Sequence, residues 1–444
     1  MLIEEKFKQF YMGTYQAVAD IEMYKVFNFV QCSGLLIKAN IDKPEGRYNE
    51  RCSLAYLSMI YKELVGPPDL SAYVEDLEQY YGLPKGVVSN YYRELLWDLG
   101  SDNVQNMFEV LKNLDLKGDE LPVFFDRLLN FVTANFGKKY GDGGANPMLA
   151  RIMGKLANAE PSMTLYDPFC GTGRTIIEAD NDCHLIMQDA DTTMLAVAAV
   201  NAVVHGKRPE LISARDTFLN PVEADTRFDR IVSEPPMAMK FRMDFAYRVS
   251  ETYGFPPELV NGDTAGIVVA LEKSKADGIS VVLVPMSILF KSGRTEDFRR
   301  YLVQFGHLDC VISLPSGVLP HTGTASALLV INKTKKEEGV FFIDSTEMWT
   351  RSRAVDVAYL TENALSDLIN LYTDRRETEA STYVEKDVIL KGEIKLTPGA
   401  YLVKDIEIEV EDTGTLIKRS ADLYKRFLEV NEELEKLRGG TFDD

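Results

Sequence analysis

The chain has 444 residues, 45% of them hydrophobic and 26% charged, with a formal net charge of −19. Such a length predicts about two to three folded units, and the composition is that of a globular protein rather than a disordered or fibrous one. The negative balance argues against a protein that grips nucleic acid alone by neutralising phosphates, and points to a local basic channel or a partner that supplies the grip.

No run of about 18 apolar residues predicts a membrane span. The segment MLIEEKFKQFY lacks the basic start and apolar core of a secretory leader. Cys32, Cys52, Cys170, Cys183 and Cys310 are scattered and never form CxxC. They predict a reducing, cytoplasmic setting without a disulfide framework or zinc site. None of the four histidines is spaced i, i+4, so no metal site is expected.

Residues 1–120 read as a mostly helical domain, because apolar residues recur at three and four spacing in FKQFYMGTYQAVADIEMYKVFNFVQ and NERCSLAYLSMIYKELV. The stretch LEQYYGLPKGVVSNYYRELLWDLG has a helix–turn–helix outline around Gly82-Leu83-Pro84, with ordinary helical packing the better reading. Trp97 and Trp349 read as packing residues.

Residues 121–400 alternate helical stretches with short strands, at Thr164–Tyr166, His184–Gln188, Leu211–Ala214, Phe228–Val232, Ile279–Val284, Leu308–Ser313 and Ala325–Ile331, with GVFFID adding another. That alternation predicts βαβ units, hence an α/β doubly wound, Rossmann-like sheet. VVLV and ALLVI fit strands buried on both faces, whereas IVVAL belongs to a helix. Residues 401–444 form a third segment. There Leu416, Ser420, Leu423, Phe427, Val430, Leu434 and Leu437 make an a/d seam, expected to be a helix that meets a partner, with a terminal helix packed on its own core as the other reading.

Chemistry is most legible at Asp167-Pro168-Phe169-Cys170-Gly171-Thr172-Gly173, directly after the first strand. Gly171 and Gly173 let the backbone turn sharply and approach a ligand, and the following helix start offers free N–H groups. Asp167 is placed to meet a cationic amino group. Asp189 ends the second strand, where an acid can accept from ribose hydroxyls. Asp216 and Thr217 follow the third strand, suited to an adenine amino group with Phe218 beside its ring.

These stretches, together with Asn146-Pro147, the QDAD…NAVVHG helix, FDRIVSEPPM, Tyr253-Gly254-Phe255-Pro256-Pro257 and the run from DGISVVLVPMSILF to TGTASALLVINKTK, resemble the modification subunit of type I restriction–modification systems, an N6-adenine DNA methyltransferase family. The resemblance covers roughly residues 115–444. It implies an S-adenosylmethionine-dependent methyltransferase, DNA as substrate, a separate DNA-specificity subunit as partner, and possession of the C-terminal helix that meets it, with a second copy of the chain as a further partner. By the same resemblance Asn146, Pro147, Asp167, Phe169, Gly171, Thr172, Gly173, Asp189, Asp216 and Thr217 bind the cofactor.

The catalytic motif is Glu234-Pro235-Pro236-Met237, where the family carries Asn or Asp, Pro, Pro and an aromatic. Asn146 and Ala145 likewise replace its Thr and aromatic. In the family the first side chain and the first proline carbonyl accept the amine hydrogens, and the aromatic stacks on an extruded adenine. Three readings follow: adenine N6 methylation with an altered motif, a cofactor-binding subunit without turnover, and methylation of an RNA or protein amino group. Lys240, Arg242 and Arg248 beyond the motif are candidate phosphate contacts, balanced against a solvated face. His321 reads as a solvated loop residue.

Overall fold

The computed structural model describes residues 3–18, 22–60, 70–140, 146–179, 182–222, 225–237, 239–319, 323–352, 355–402 and 413–438. Ala145 and His321 lie outside them, as do the side chains of Leu416, Leu434 and Leu437.

The strands in chain order are β1 (Thr164–Asp167), β2 (His184–Asp189), β3 (Leu211–Ala214), β4 (Phe228–Ser233), β5 (Ser274–Pro285), β6 (Leu308–Leu314), β7 (Ser326–Asn332), β8 (Val340–Asp344), β9 (Thr350–Ser352), β10 (Val355–Tyr359) and β11 (Ser381–Val384). Nine form one sheet in the order β11-β8-β6-β7-β5-β4-β1-β2-β3, and β9 and β10 pair as a separate two-stranded ribbon. β3, β2, β1, β4 and β5 run parallel, whereas β7 is antiparallel to both β5 and β6. The eight strands expected from the sequence are present within a few residues. The other three, β9, β10 and β11, carried too little apolar patterning to be read.

Alternation along the strands divides the core. Leu165, Met187, Val232, Val281 and Leu283 pack on one face, while Tyr166, Ile186, Ile231, Val282 and Val284 pack on the other. Successive side chains of a strand point to opposite faces, so these runs must be covered twice. The second face is covered by the helices Met243–Tyr253 and Ala265–Lys273, the latter containing IVVAL as the sequence predicts.

On the first face lies the helix Thr192–Val204, buried at every position from Leu195 to Val204. A helix apolar all round must be covered all round. The N-terminal helices Met23–Cys32, Gly34–Asp42 and Glu120–Tyr140 provide its outer cover. The approach is close at Gly34, where an added Cβ would lie 2.4 Å from Val200 Cγ1. The N-terminal helices and the sheet thus share one hydrophobic core.

The helix–turn–helix outline corresponds to two helices packed into the N-terminal core. Helices Leu70–Tyr80 and Ser89–Asn113 are joined at a turn held by the fully buried Glu78, which accepts from Gly86 N, Val88 N and Ser89 N at 2.7, 2.6 and 2.6 Å. Trp97 is not a packing residue: it is 87% exposed, because Tyr92, Leu95 and Leu99 take the inward face of its helix. Trp349 is buried, with its indole N–H donating to Ser345 Oγ at 3.1 Å.

Residues 403–444 form a separate unit whose described part is the helix Thr413–Arg438. Leu423, Phe427 and Val430 of the predicted seam are exposed along it.

Candidate active site

Strand order reverses between β1 and β4, so the loops leaving their carboxyl ends part and open a crevice, the place where doubly wound sheets bind ligands. The loop after β1 is the glycine-rich turn, and the loop after β4 begins at Glu234. The topology therefore brings the two most informative segments of the chain together.

The turn is held from below. Cys170 N donates to Gln188 O at 3.0 Å, Gly173 N to Cys170 O at 2.7 Å, and the buried Asn201 amide to Thr172 O at 2.9 Å. Gly171 and Gly173 have φ of 51° and 77°, the left-handed region that glycine reaches without strain. An added Cβ at Gly173 would meet Met187 Cε at 3.0 Å, whereas at Gly171 it would meet nothing within 4 Å. The turn is packed tightly underneath and open above, a cradle for a ligand.

Acids surround that opening. Asp167 is 1% exposed and accepts from Phe169 N at 3.1 Å. Burial raises its carboxyl well above the usual range, and the charges of Glu234 and Asp189 raise it further. A carboxylate has about four lone-pair sites, so it retains capacity for an ammonium group, whose charge would offset that cost. Asp189 accepts from Gly171 N and Asp191 N, each at 2.9 Å. Burial lifts its carboxyl too, and the backbone donors counter it. Asp216 accepts from Phe218 N at 2.9 Å, and Thr217 donates to Pro168 O. Phe169 and Phe218 lie 5.1 Å apart between ring centroids, and Phe241 meets Phe218 edge-on at 5.5 Å. This apolar wall beside an acid suits a flat heteroaromatic ring with an amino group.

Asn146 is placed differently from the other predicted cofactor residues. It caps the helix Pro147–Ala157, its Oδ1 accepting from Met148 N at 2.9 Å. Its Nδ2 donates to Val318 O and Ala358 O at 2.8 and 3.1 Å. Both ends of the amide are thus occupied by the protein, and Asn146 ties three distant segments together. Pro147 occupies the first position of that helix, where its missing N–H costs nothing.

At the other wall, Glu234 follows the fully buried Ser233 and accepts from Thr175 Oγ1. Burial raises the Glu234 carboxyl, while the Thr175 hydrogen bond and the Arg174 charge pull it back. Pro235, Pro236 and Met237 line a small cavity with Gly262, Asp263 and Gly266. An added Cβ at Gly266 would lie 2.3 Å from Pro235 Cβ, so the helix Ala265–Lys273 fixes the proline from behind. Met237 is half-buried.

Three positioning residues escaped the sequence. Gln188, fully buried, accepts from Tyr166 Oη at 2.7 Å and Val222 N at 3.0 Å, and donates to Arg215 O and Asn220 O at 3.2 and 2.9 Å. Tyr253 Oη donates to Thr217 O. Thr175 meets Glu234. The only available signal for Gln188 was its place beside Asp189 at a strand end. Lys240, Arg242 and Arg248 are all exposed.

A sheet of this order with an antiparallel β7, opening at a glycine-rich turn ringed by acids, is the fold of an S-adenosylmethionine-dependent methyltransferase. A sequence model of the N-6 DNA methylase family matches residues 117–409, and the chain belongs to that family. S-adenosylmethionine is the cofactor that follows.

The chain is 21% identical over 372 residues to the type I restriction enzyme MpnII methylase subunit of Mycoplasma pneumoniae, covering 76% of this chain and 67% of that protein. It is 21% identical to the MjaVIII methylase subunit of Methanocaldococcus jannaschii, covering 66% of this chain but 55% of the relative. The chain thus spans about half to two thirds of the length of such relatives. Its fold is similar to the crystal structure of a type I restriction–modification methyltransferase subunit from Streptococcus thermophilus, with a TM-score of 0.69 at 16% identity over 91% of this chain and all of that one.

Proposed function

We propose that the chain is the methylating subunit of a type I restriction–modification-like assembly, transferring a methyl group to adenine N6 in DNA. The observation that carries this reading is the meeting of Glu234 with Thr175, which sets the amine-holding motif against the helix opened by the glycine-rich turn. When bound, S-adenosylmethionine would supply an electrophilic methyl on a sulfonium, with a neutral thioether as the leaving group.

Asp167 would hold the cofactor's ammonium, Asp189 its ribose, and Asp216 with the Phe169–Phe218 wall its adenine. Glu234 and the Pro235 carbonyl would accept the two hydrogens of the target amine, turning its lone pair towards the methyl. Such alignment is what this reaction requires of a protein, more than a strong base. The amine proton is released to water as the bond forms. A duplex adenine must be extruded to reach this depth, and Met237 would cover its face.

Lys240 and Arg242, exposed just beyond Met237, suit phosphates flanking that base. Division of labour follows the chain: residues 1–120 a helical cover, 121–400 the methyltransferase, 401–444 a helix for the specificity subunit. The test is transfer of labelled methyl into DNA by the full chain assembled with a specificity subunit, read at adenine N6. No transfer, with Glu234→Asn restoring it, would reject this reading.

A second reading, a cofactor-binding subunit without turnover, is favoured by Met237, which offers no π face. It predicts S-adenosylmethionine binding by calorimetry without transfer by either the unmodified chain or Glu234→Asn.

A further inference from the structure

The contact between Thr175 and Glu234 links two residues that differ in chemistry and lie 59 positions apart. Glu234 is one methylene longer than the Asn or Asp that the same role would ordinarily use. An extended glutamate would carry its oxygens about 1 Å too far towards the target amine, and displacement of that size costs on the order of 100-fold in rate.

The backbone cannot take up the difference. Ser233 is fully buried in β4, and Pro235, whose ring fixes its own φ, is backed by Gly266. Only the side-chain torsions of Glu234 remain. Thr175, 3% exposed, has one hydroxyl proton, which it gives to Glu234 Oε1.

Resting on the proposed methyl transfer, we propose that Thr175 is a positioning residue that draws Glu234 Oε1 back towards the cofactor turn, absorbing the extra methylene and presenting Oε2 alone to the substrate amine. The altered motif then works as a two-residue unit, a glutamate shortened by a threonine. Among the described residues, the charged groups that act on Glu234 are Arg174 from the helix of Thr175 and Asp167 from the end of β1. The hydrogen bond to Oε1 comes from Thr175, whose hydroxyl is the orienting contact.

The experiment has two arms. In the first, methyl transfer is measured for Thr175→Val, Thr175→Ser, Glu234→Asn and the Val/Asn double variant in the assembled complex. Thr175→Val is expected to lower kcat about 10- to 100-fold with unchanged S-adenosylmethionine affinity, Thr175→Ser to retain it, and the double variant to match Glu234→Asn alone. A Thr175→Val loss that persists in full on the Glu234→Asn background overturns the proposal.

The second arm needs no turnover. The Glu234 carboxyl is titrated by isotope-edited infrared difference against Glu234→Gln. Loss of the hydroxyl in Thr175→Val should move that titration to higher pH, because a donor that favours the charged form is gone, while Thr175→Ser leaves it in place. An unmoved titration in a folded Thr175→Val overturns the proposal even where no variant methylates. Transfer absent from all variants, with the titration shifted, rejects the methylation reading alone.

Discussion

The two walls of the crevice are built on opposite principles. On the cofactor side, almost every polar group is held by another protein group: Asp189 by Gly171 N and Asp191 N, Thr172 O by Asn201, Thr217 by Pro168 and Tyr253. On the substrate side, Glu234 is held by one hydroxyl and Met237 by apolar contact. The first wall is preorganised by a network in which low dielectric strengthens each bond. Among the described residues the second has fewer polar supports, so a small change there has a specific rather than a diffuse effect.

The largest expected effect falls on the preorganised wall. Asp167→Asn should weaken S-adenosylmethionine binding by roughly 100-fold in calorimetry, since a charge-assisted bond to the ammonium is lost. The pH dependence separates this from misfolding. Burial raises the Asp167 carboxyl, so in the intact protein affinity should fall as pH falls through that raised value, because the ammonium is held by the ionised form. In Asp167→Asn that dependence should flatten, and a persisting slope would assign it elsewhere.

Next comes the network itself. Gln188→Ala removes four hydrogen bonds and strands Tyr166 Oη and Val222 N in the core. A cost of about 3 kcal/mol is expected in denaturant unfolding. A cost near zero would show that the loops after β3 need no such pin.

The substrate wall should respond the other way. Met237→Tyr supplies the missing π face, and base stacking is worth roughly 1–3 kcal/mol. KM for DNA should fall about 10-fold with S-adenosylmethionine affinity unchanged. A rise in KM would mean that Met237 fits its site better than an aromatic does.

The smallest effect lies at the opposite end of the strands. Asp229 accepts from Thr164 N, Thr164 Oγ1 and Lys275 Nζ at 2.9, 2.7 and 2.7 Å. Burial works against it, but these donors outweigh burial and hold its carboxyl down at about 2. A depressed carboxyl contributes stability above its unfolded value, here lost as pH falls from about 4 towards 2. Asp229→Asn should cost about 1 kcal/mol near neutral pH and converge with the parent at acid pH. It should leave both walls of the crevice untouched.

Much of this arrangement is local and was legible. The glycine turn needs Gly171 and Gly173 for their positive φ, and the buried strands need continuous apolar runs. Asp189 and Asp216 sit at strand ends, which periodicity locates. The strands β9, β10 and β11 were not legible, because TRS, VDVAY and STYV carry few apolar residues and their pairing is set by neighbours. Trp97 was misread because residue type was weighed over position: Tyr92, Leu95 and Leu99, at three and four spacing, mark the other face of its helix as the buried one.

The sequence by itself determined that a doubly wound sheet presents a cofactor turn and a separate amine-holding tetrapeptide, because turn chemistry and hydrophobic period act over a few residues. Only the tertiary structure decided what those segments touch. Asn146 spends its amide on Val318 and Ala358, and Glu234 meets Thr175 across the crevice. Such contacts arise where strand order reverses and distant loops converge, and no local pattern encodes them.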